Sequence, residues 1–102
     1  MSFKNYNIDI LVISCDSYSD VWPYFFYYFF ENWDKCPLDI YLLSNEKLYN
    51  DKRIKMINVM KDISWSDNLL KGLKSINSEY VMLLIDDLLI TNKISNDYFF
   101  KI

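Results

Sequence analysis

The stretch Tyr80-Val81-Met82-Leu83-Leu84-Ile85-Asp86-Asp87-Leu88-Leu89-Ile90 restricts the fold more than any other part of the chain. It opens as an unbroken apolar run, the pattern of a strand buried on both faces, as in a parallel sheet covered by helices. Two adjacent carboxylates then interrupt it. Like charges ~4 Å apart repel by ~1 kcal/mol in water and by ~4 kcal/mol at an effective dielectric near 20. Asp86 and Asp87 must therefore sit at an exposed strand end, share a proton or hold a cation. Ligands of open α/β sheets collect at the carboxyl ends of the strands. The pair is thus the first candidate site, and its alternative is a solvated strand-end turn without a ligand.

Earlier segments extend the pattern. Ile8–Ser14 is a β-branched apolar run and reads as a buried first strand, ending in the polar loop Ser14-Cys15-Asp16-Ser17-Tyr18. Asp16 can hydrogen-bond a sugar or base there, or it can shape the turn before the next helix. Ser19 and Asp20 are candidate N-caps, with Pro23 in the first helical turn. The aromatic run Tyr24–Phe30 follows, closed by Glu31-Asn32-Trp33. It is too short to span a bilayer, and without a lysine-rich face it reads as core rather than membrane-surface contact. Its tyrosines can bury their rings and keep their hydroxyls wet.

After a turn at Asp34–Pro37, Leu38–Ser44 reads as a second strand with the loop Asn45-Glu46-Lys47. Leu48–Arg53 is a charged surface connection, and Ile54–Val59 is a third, more exposed strand. Ser64 or Ser66 caps a second helix, with Asp67 in its first turn. Trp65, Leu69, Leu70, Leu73 and Ile76 follow helical spacing and are expected to face the sheet. Gly72 inside that helix costs up to ~1 kcal/mol against alanine, which hints at close packing. Ile94–Ile102, with Tyr98-Phe99-Phe100, reads as the start of another helix. Strand, helix, strand, strand, helix, strand with short loops is an α/β pattern. It predicts a Rossmann-like, mostly parallel sheet in the order 3-2-1-4, flanked by helices, in one domain over residues 1–102.

Composition excludes several functions. The chain lacks histidine, which removes Ser-His-Asp and Cys-His catalysis and histidine-ligated metals. Its single glycine leaves neither a P-loop nor a GxGxxG fingerprint. A net charge of -3 and one arginine, Arg53, argue against a nucleic-acid surface. Cys15 and Cys36 are too few and too far apart for a zinc site or a CxxC motif. The polar start, Met1–Ile8, lacks a signal-peptide core, so a cytoplasmic location with reduced thiols is expected.

In this order, Ser14-Cys15-Asp16-Ser17-Tyr18, Leu43-Ser44-Asn45, Trp65-Ser66-Asp67-Asn68-Leu69-Leu70 and Glu79–Asp87 resemble the N-terminal, nucleotide-sugar-binding half of GT-A-type glycosyltransferases. The nearest likeness is to the family 2-like enzymes that build bacterial surface polysaccharides, over about residues 8–95. The resemblance implies a nucleoside pocket lined by Ser14, Cys15 and Asp16, with Ser44 and Asn45 on its rim. It implies Trp65, Ser66 and Asp67 beside the nucleotide at a helix N-terminus. Asp86 and Asp87 would take the place of the family's Asp-x-Asp motif, which holds ribose and a divalent metal, Mn or Mg, on the diphosphate. Here the acids are adjacent, and on an extended strand neighbours point to opposite faces, so one of them is expected to reach the metal.

The implied donor is a UDP-type nucleotide sugar, and the implied setting is the inner face of the membrane beside polysaccharide-assembly partners. The family's acceptor site and catalytic base lie in a C-terminal half. The sequence therefore names no catalytic residue, and a truncated or split reading frame is expected, completed by that half or by self-association. The alternative is a non-catalytic nucleotide-binding or interaction module. A receiver-like signalling domain fits less well, because its acids follow the first and third strands.

Overall fold

The computed structural model describes residues 7–61, 64–86, 89–90 and 93–94. Its strands are β1 (Ile8–Ile13), β2 (Ile40–Ser44), β3 (Ile54–Asn58) and β4 (Tyr80–Ile85); its helices are α1 (Trp22–Asn32) and α2 (Trp65–Lys74). The four strands form one parallel sheet in the order β3-β2-β1-β4, the order expected from the sequence. The helix expected over Ile94–Ile102 lies, apart from Ile94, outside the described residues, as does Asp87.

β1 is the centre of the sheet. Ile10, Leu11, Val12 and Ile13 are all buried. Successive side chains point to opposite faces, and the two faces have separate cores. Ile10 and Val12 pack with Trp22, Phe25, Phe26, Phe29 and Trp33 under α1. Leu11 and Ile13 pack with Leu43, Ile57, Val59 and Ile76, joined by Leu69 and Leu73 of α2. Each fully buried large apolar side chain contributes roughly 1.5–3 kcal/mol, so neither helix can leave the sheet cheaply. The aromatic run of α1 divides by residue type: the phenylalanines at 25, 26 and 29 are buried as core, whereas Tyr24, Tyr27 and Tyr28 are exposed and do not bury their rings as expected.

The β2–β3 crossover, residues 45–53, carries no helix. Tyr49 covers part of the α1 face instead, its ring stacked on Phe26 at 5.3 Å and edge-on to Trp22 at 6.3 Å. The segment after β4 returns to the end of α1. Ile94 N donates to Asn32 O at 2.7 Å, Lys93 Nζ to Glu31 O at 2.9 Å and Asn32 Nδ2 to Ile90 O at 2.6 Å. The first two bonds engage carbonyls that a helix C-terminus leaves without intrahelical partners, and the second places a cation where the dipole favours one.

Three expectations are corrected. β4 is not buried on both faces. Among the described residues it pairs only with β1, and on its α2 side Leu83 and Ile85 are each 44% exposed. An apolar run alone does not separate a central strand from an edge. Ser19 and Asp20 do not cap α1. Val21 holds that position without a side-chain bond, because a 3₁₀ turn over Asp16–Tyr18 and further i→i+3 bonds use the preceding residues. Trp65 and Leu70 do not face the sheet; both are exposed, and the buried residues of α2 are Asn68 and Gly72. Among the described residues no helix is long and apolar enough to cross a membrane.

Gly72 marks the closest approach of α2 to the sheet. A Cβ there would meet Leu43 Cδ1 at 2.5 Å and Leu11 Cδ2 at 3.4 Å, both on fully buried side chains. Gly72→Ala gains up to ~1 kcal/mol of helix propensity and incurs ~1–3 kcal/mol of overpacking. A net loss of about 1 kcal/mol in urea unfolding is expected. A more stable variant would mean that α2 does not lie this close.

Candidate functional site

The carboxyl ends of all four parallel strands share one edge of the sheet. β1 lies between β2 and β4, and the helices after β1 and β3 pack on opposite faces. The crevice between the ends of β1 and β4 is therefore the switch point of the topology, where open α/β sheets place ligands. A cleft of about 440 Å³ lies there, within the size range of small-molecule sites. Ile13, Ser14 and Cys15 line it from β1, Ile85 and Asp86 from β4, Trp65 and Asn68 from the first turn of α2, and Tyr18 and Val21 from the approach to α1.

The register positions its polar centre. Ile13 pairs with Ile85, so one step further Ser14 stands beside Asp86. Ser14 N donates to Leu43 O at 3.0 Å, which extends the sheet by one residue and fixes the backbone. The Ser14 hydroxyl donates to Asp86 Oδ2 and accepts from Trp22 Nε1 at 2.7 Å. Asp86 is 6% exposed. A buried carboxylate needs such partners, because leaving a buried polar group unsatisfied costs about 1–3 kcal/mol.

α2 adds two things to the cleft. Ser64 caps it, its side chain accepting from Asp67 N at 3.1 Å. The helix N-terminus, whose first amides have no intrahelical acceptor, is the positive end of the dipole. The same turn supplies the exposed Trp65 ring and the buried Asn68 side chain. Trp65 and Tyr18 are both more than half exposed, giving the cleft two aromatic surfaces.

Of the expected site residues, Ser14, Cys15, Trp65 and Asp86 come together in the cleft, and Ser66 and Asp67 stand beside it on exposed positions of α2 without lining it. Asp16, Ser44 and Asn45 have different work. Asp16 Oδ1 accepts from the backbone amides of Asn45 and Lys47, both at 3.1 Å, and Oδ2 from that of Glu46 at 3.0 Å. In return Asp16 N donates to Asn45 Oδ1 at 2.9 Å. Ser44 is fully buried; its hydroxyl donates to Lys47 O at 2.9 Å and accepts from Asn58 Nδ2 at 3.0 Å. These three residues clamp the loop after β2 to the loops after β1 and β3. They shape the rim from behind.

Asn68 was not foreseen. Its signal is its spacing: Asn68, Gly72 and Ile76 form the buried row of α2 and the residues just after it, and Asn68 is the polar member nearest the strand ends. Among the described residues no group of three or more His, Cys, Asp and Glu could hold a metal ion. A cation here would need ligand oxygens beside the Asp86 carboxylate, as Mg²⁺ commonly does with one or two carboxylates plus substrate phosphates. No protein-family model, curated protein or solved structure matches the chain.

Two measurements follow from this geometry. Burial raises the Asp16 pKa, and the amides of Lys47, Glu46 and Asn45 together with the Lys47 charge outweigh it, leaving a net decrease. Because the folded pKa lies below the unfolded value of about 3.9, the clamp is fully present above that pH and is lost as pH falls through the lowered pKa. Asp16→Asn should cost roughly 1 kcal/mol near neutrality, after discounting for exposure. The gap between variant and parent should close in acid. A gap independent of pH would contradict the carboxylate clamp. Burial pushes the Cys36 thiol up to about 11, which keeps it protonated and unreactive, whereas Cys15 lines the cleft. Peptide mapping after brief iodoacetamide treatment at pH 8 should find Cys15 modified roughly 10-fold faster or more. Both thiols are half-buried, so equal rates would contradict the raised pKa of Cys36.

Proposed function

We propose that the chain is the donor-binding half of a GT-A-type glycosyltransferase, of the family 2-like group that builds bacterial surface polysaccharides, and that it takes a UDP-type nucleotide sugar. The observation that carries this reading is the meeting of Ser14, Asp86, Asn68 and the Trp65 ring in one cleft at the β1/β4 switch point.

In this reading the planar base stacks on the aromatic surfaces of Trp65 and Tyr18, an interaction worth ~1–3 kcal/mol per base. Asn68 offers amide donors and an acceptor. Asp86 accepts a hydrogen bond from a ribose hydroxyl or meets a divalent cation carried by the diphosphate. The Ser14 hydroxyl, by donating to Oδ2, holds that oxygen as an acceptor, which suits either role. Mn²⁺ or Mg²⁺ bound there would neutralise charge on the leaving diphosphate. The positive end of α2 favours the same anionic group. Sugar transfer itself needs an acceptor site and a base in addition to these donor-side groups. The natural setting is the cytoplasmic face of the membrane, beside polysaccharide-assembly partners.

A second reading, a non-catalytic nucleotide-binding or interaction module, is favoured by the α2 side of β4, where Leu83 and Ile85 stand half exposed.

Calorimetric titration with UDP, with and without Mn²⁺, separates the two readings from a cleft without a ligand. Saturable binding strengthened by metal is expected. Trp65→Ala should weaken it by ~1–3 kcal/mol. Asp86→Asn combined with Asp87→Asn should abolish the metal-dependent part without unfolding the domain. No binding by the folded chain under either condition would contradict the donor-site reading.

A further inference from the structure

We infer that Trp22, a core residue outside the cleft, is a positioning residue for Asp86 and acts through the Ser14 hydroxyl. Trp22 is 2% exposed at the first turn of α1 and does not line the cleft. By size and burial it reads as packing only. Its indole nitrogen does something further.

An indole N–H can only donate, and a serine hydroxyl has one proton and two lone pairs. Trp22 Nε1 donates to Ser14 Oγ at 2.7 Å and so occupies one lone pair. The single Ser14 proton then has two acceptors within reach: Asp86 Oδ2, close by, and the Cys15 carbonyl at 3.4 Å. The Asp86 oxygen is much the nearer of the two, so it takes the proton's hydrogen bond. The chain of bonds has one direction, Trp22 to Ser14 to Asp86. Each donor polarises the next in a buried setting.

Both ends of this relay are anchored. The Ser14 backbone is tied to β2 through Leu43 O, and the Trp22 ring is held in the aromatic core under α1, edge-on to Tyr49. The orientation of Asp86 Oδ2 is thus set by the core before a ligand arrives, which lowers the cost of ordering on binding. This deepens the donor-site reading, since Asp86 is the side chain proposed there to meet the donor. The relay itself exists in the free protein and can be tested without any ligand.

The test uses the full chain with two replacements of Trp22: Trp22→Phe, and β-(3-benzothienyl)alanine, which keeps the ring volume and lacks the N–H. The second keeps the test open if the first fails to fold. In the free protein, the carboxyl ¹³C resonance of Asp86 should move when the indole N–H is lost. It should move in Ser14→Ala as well, and the Trp22 replacement should move it no further in a Ser14→Ala background. A folded variant in which the resonance stays put, or moves equally with and without Ser14, would overturn the relay.

The second arm is affinity for UDP with Mn²⁺. A roughly 3- to 10-fold loss on removing the N–H is expected, the scale of one hydrogen bond, again absent in Ser14→Ala. An affinity unchanged by losing the N–H would overturn the positioning role. If UDP does not bind the parent protein while the resonances couple, the donor reading fails and the positioning of Asp86 by Trp22 stands.

Discussion

Everything in this structure depends on the burial of β1 on both faces. Ile10 and Val12 need apolar cover on one side, Leu11 and Ile13 on the other. No single helix can supply both. α1 takes one face with a wall of phenylalanine and tryptophan, and α2 takes the other at the closest distance that a glycine permits. Once helices occupy both faces, the strands beside β1 are joined through crossovers and run parallel to it. All carboxyl ends then meet on one edge, and the crevice between β1 and β4 opens there as a consequence of the packing.

What fills that crevice is a small set of groups with defined directions. Ser14 reaches Asp86 because the β1–β4 register continues one residue past Ile13 and Ile85. Trp65 and Asn68 reach it because Ser64 starts α2 at the level of the strand ends. The rim is held from behind by a second set of bonds, in which Asp16 gathers three backbone amides and Ser44 links Lys47 to Asn58. The two sets share the same loops but divide the labour. One presents polar groups to the cleft, and the other ties the loops to one another.

Much of the fold could be read from local pattern. Ile8–Ser14, Leu38–Ser44 and Ile54–Val59 are short β-branched or apolar runs between polar loops, and the observed β1, β2 and β3 fall inside them. Sheet order followed from the alternation of strands and helices. The failures share a cause, which is distance along the chain. The exposure of Leu83 and Ile85 depends on what stands beyond β4, and the run itself holds no trace of that. The residues alone left Asp16 open between ligand contact and turn shaping, and only the resemblance put it in the pocket; its partners, Asn45 to Lys47, lie about thirty residues away, and only the finished sheet brings them together. Asn68 sits among leucines on a helix, where a polar residue reads as solvent-facing. Its burial follows from the position of α2 over the strand ends. Ser14, Cys15, Trp65 and Asp86 were legible because each stands at the end of a strand or the start of a helix, where position along the element fixes position in the fold.

The most direct measurement is an amide-resonance titration of the chain with UDP and Mg²⁺, which reports where a ligand sits. Shifts confined to Ser14, Cys15, Tyr18, Trp65, Asn68 and Asp86 are expected, with the strands' amino-terminal edge unchanged. Shifts centred elsewhere, or none at millimolar nucleotide, would contradict a donor site at the β1/β4 switch point.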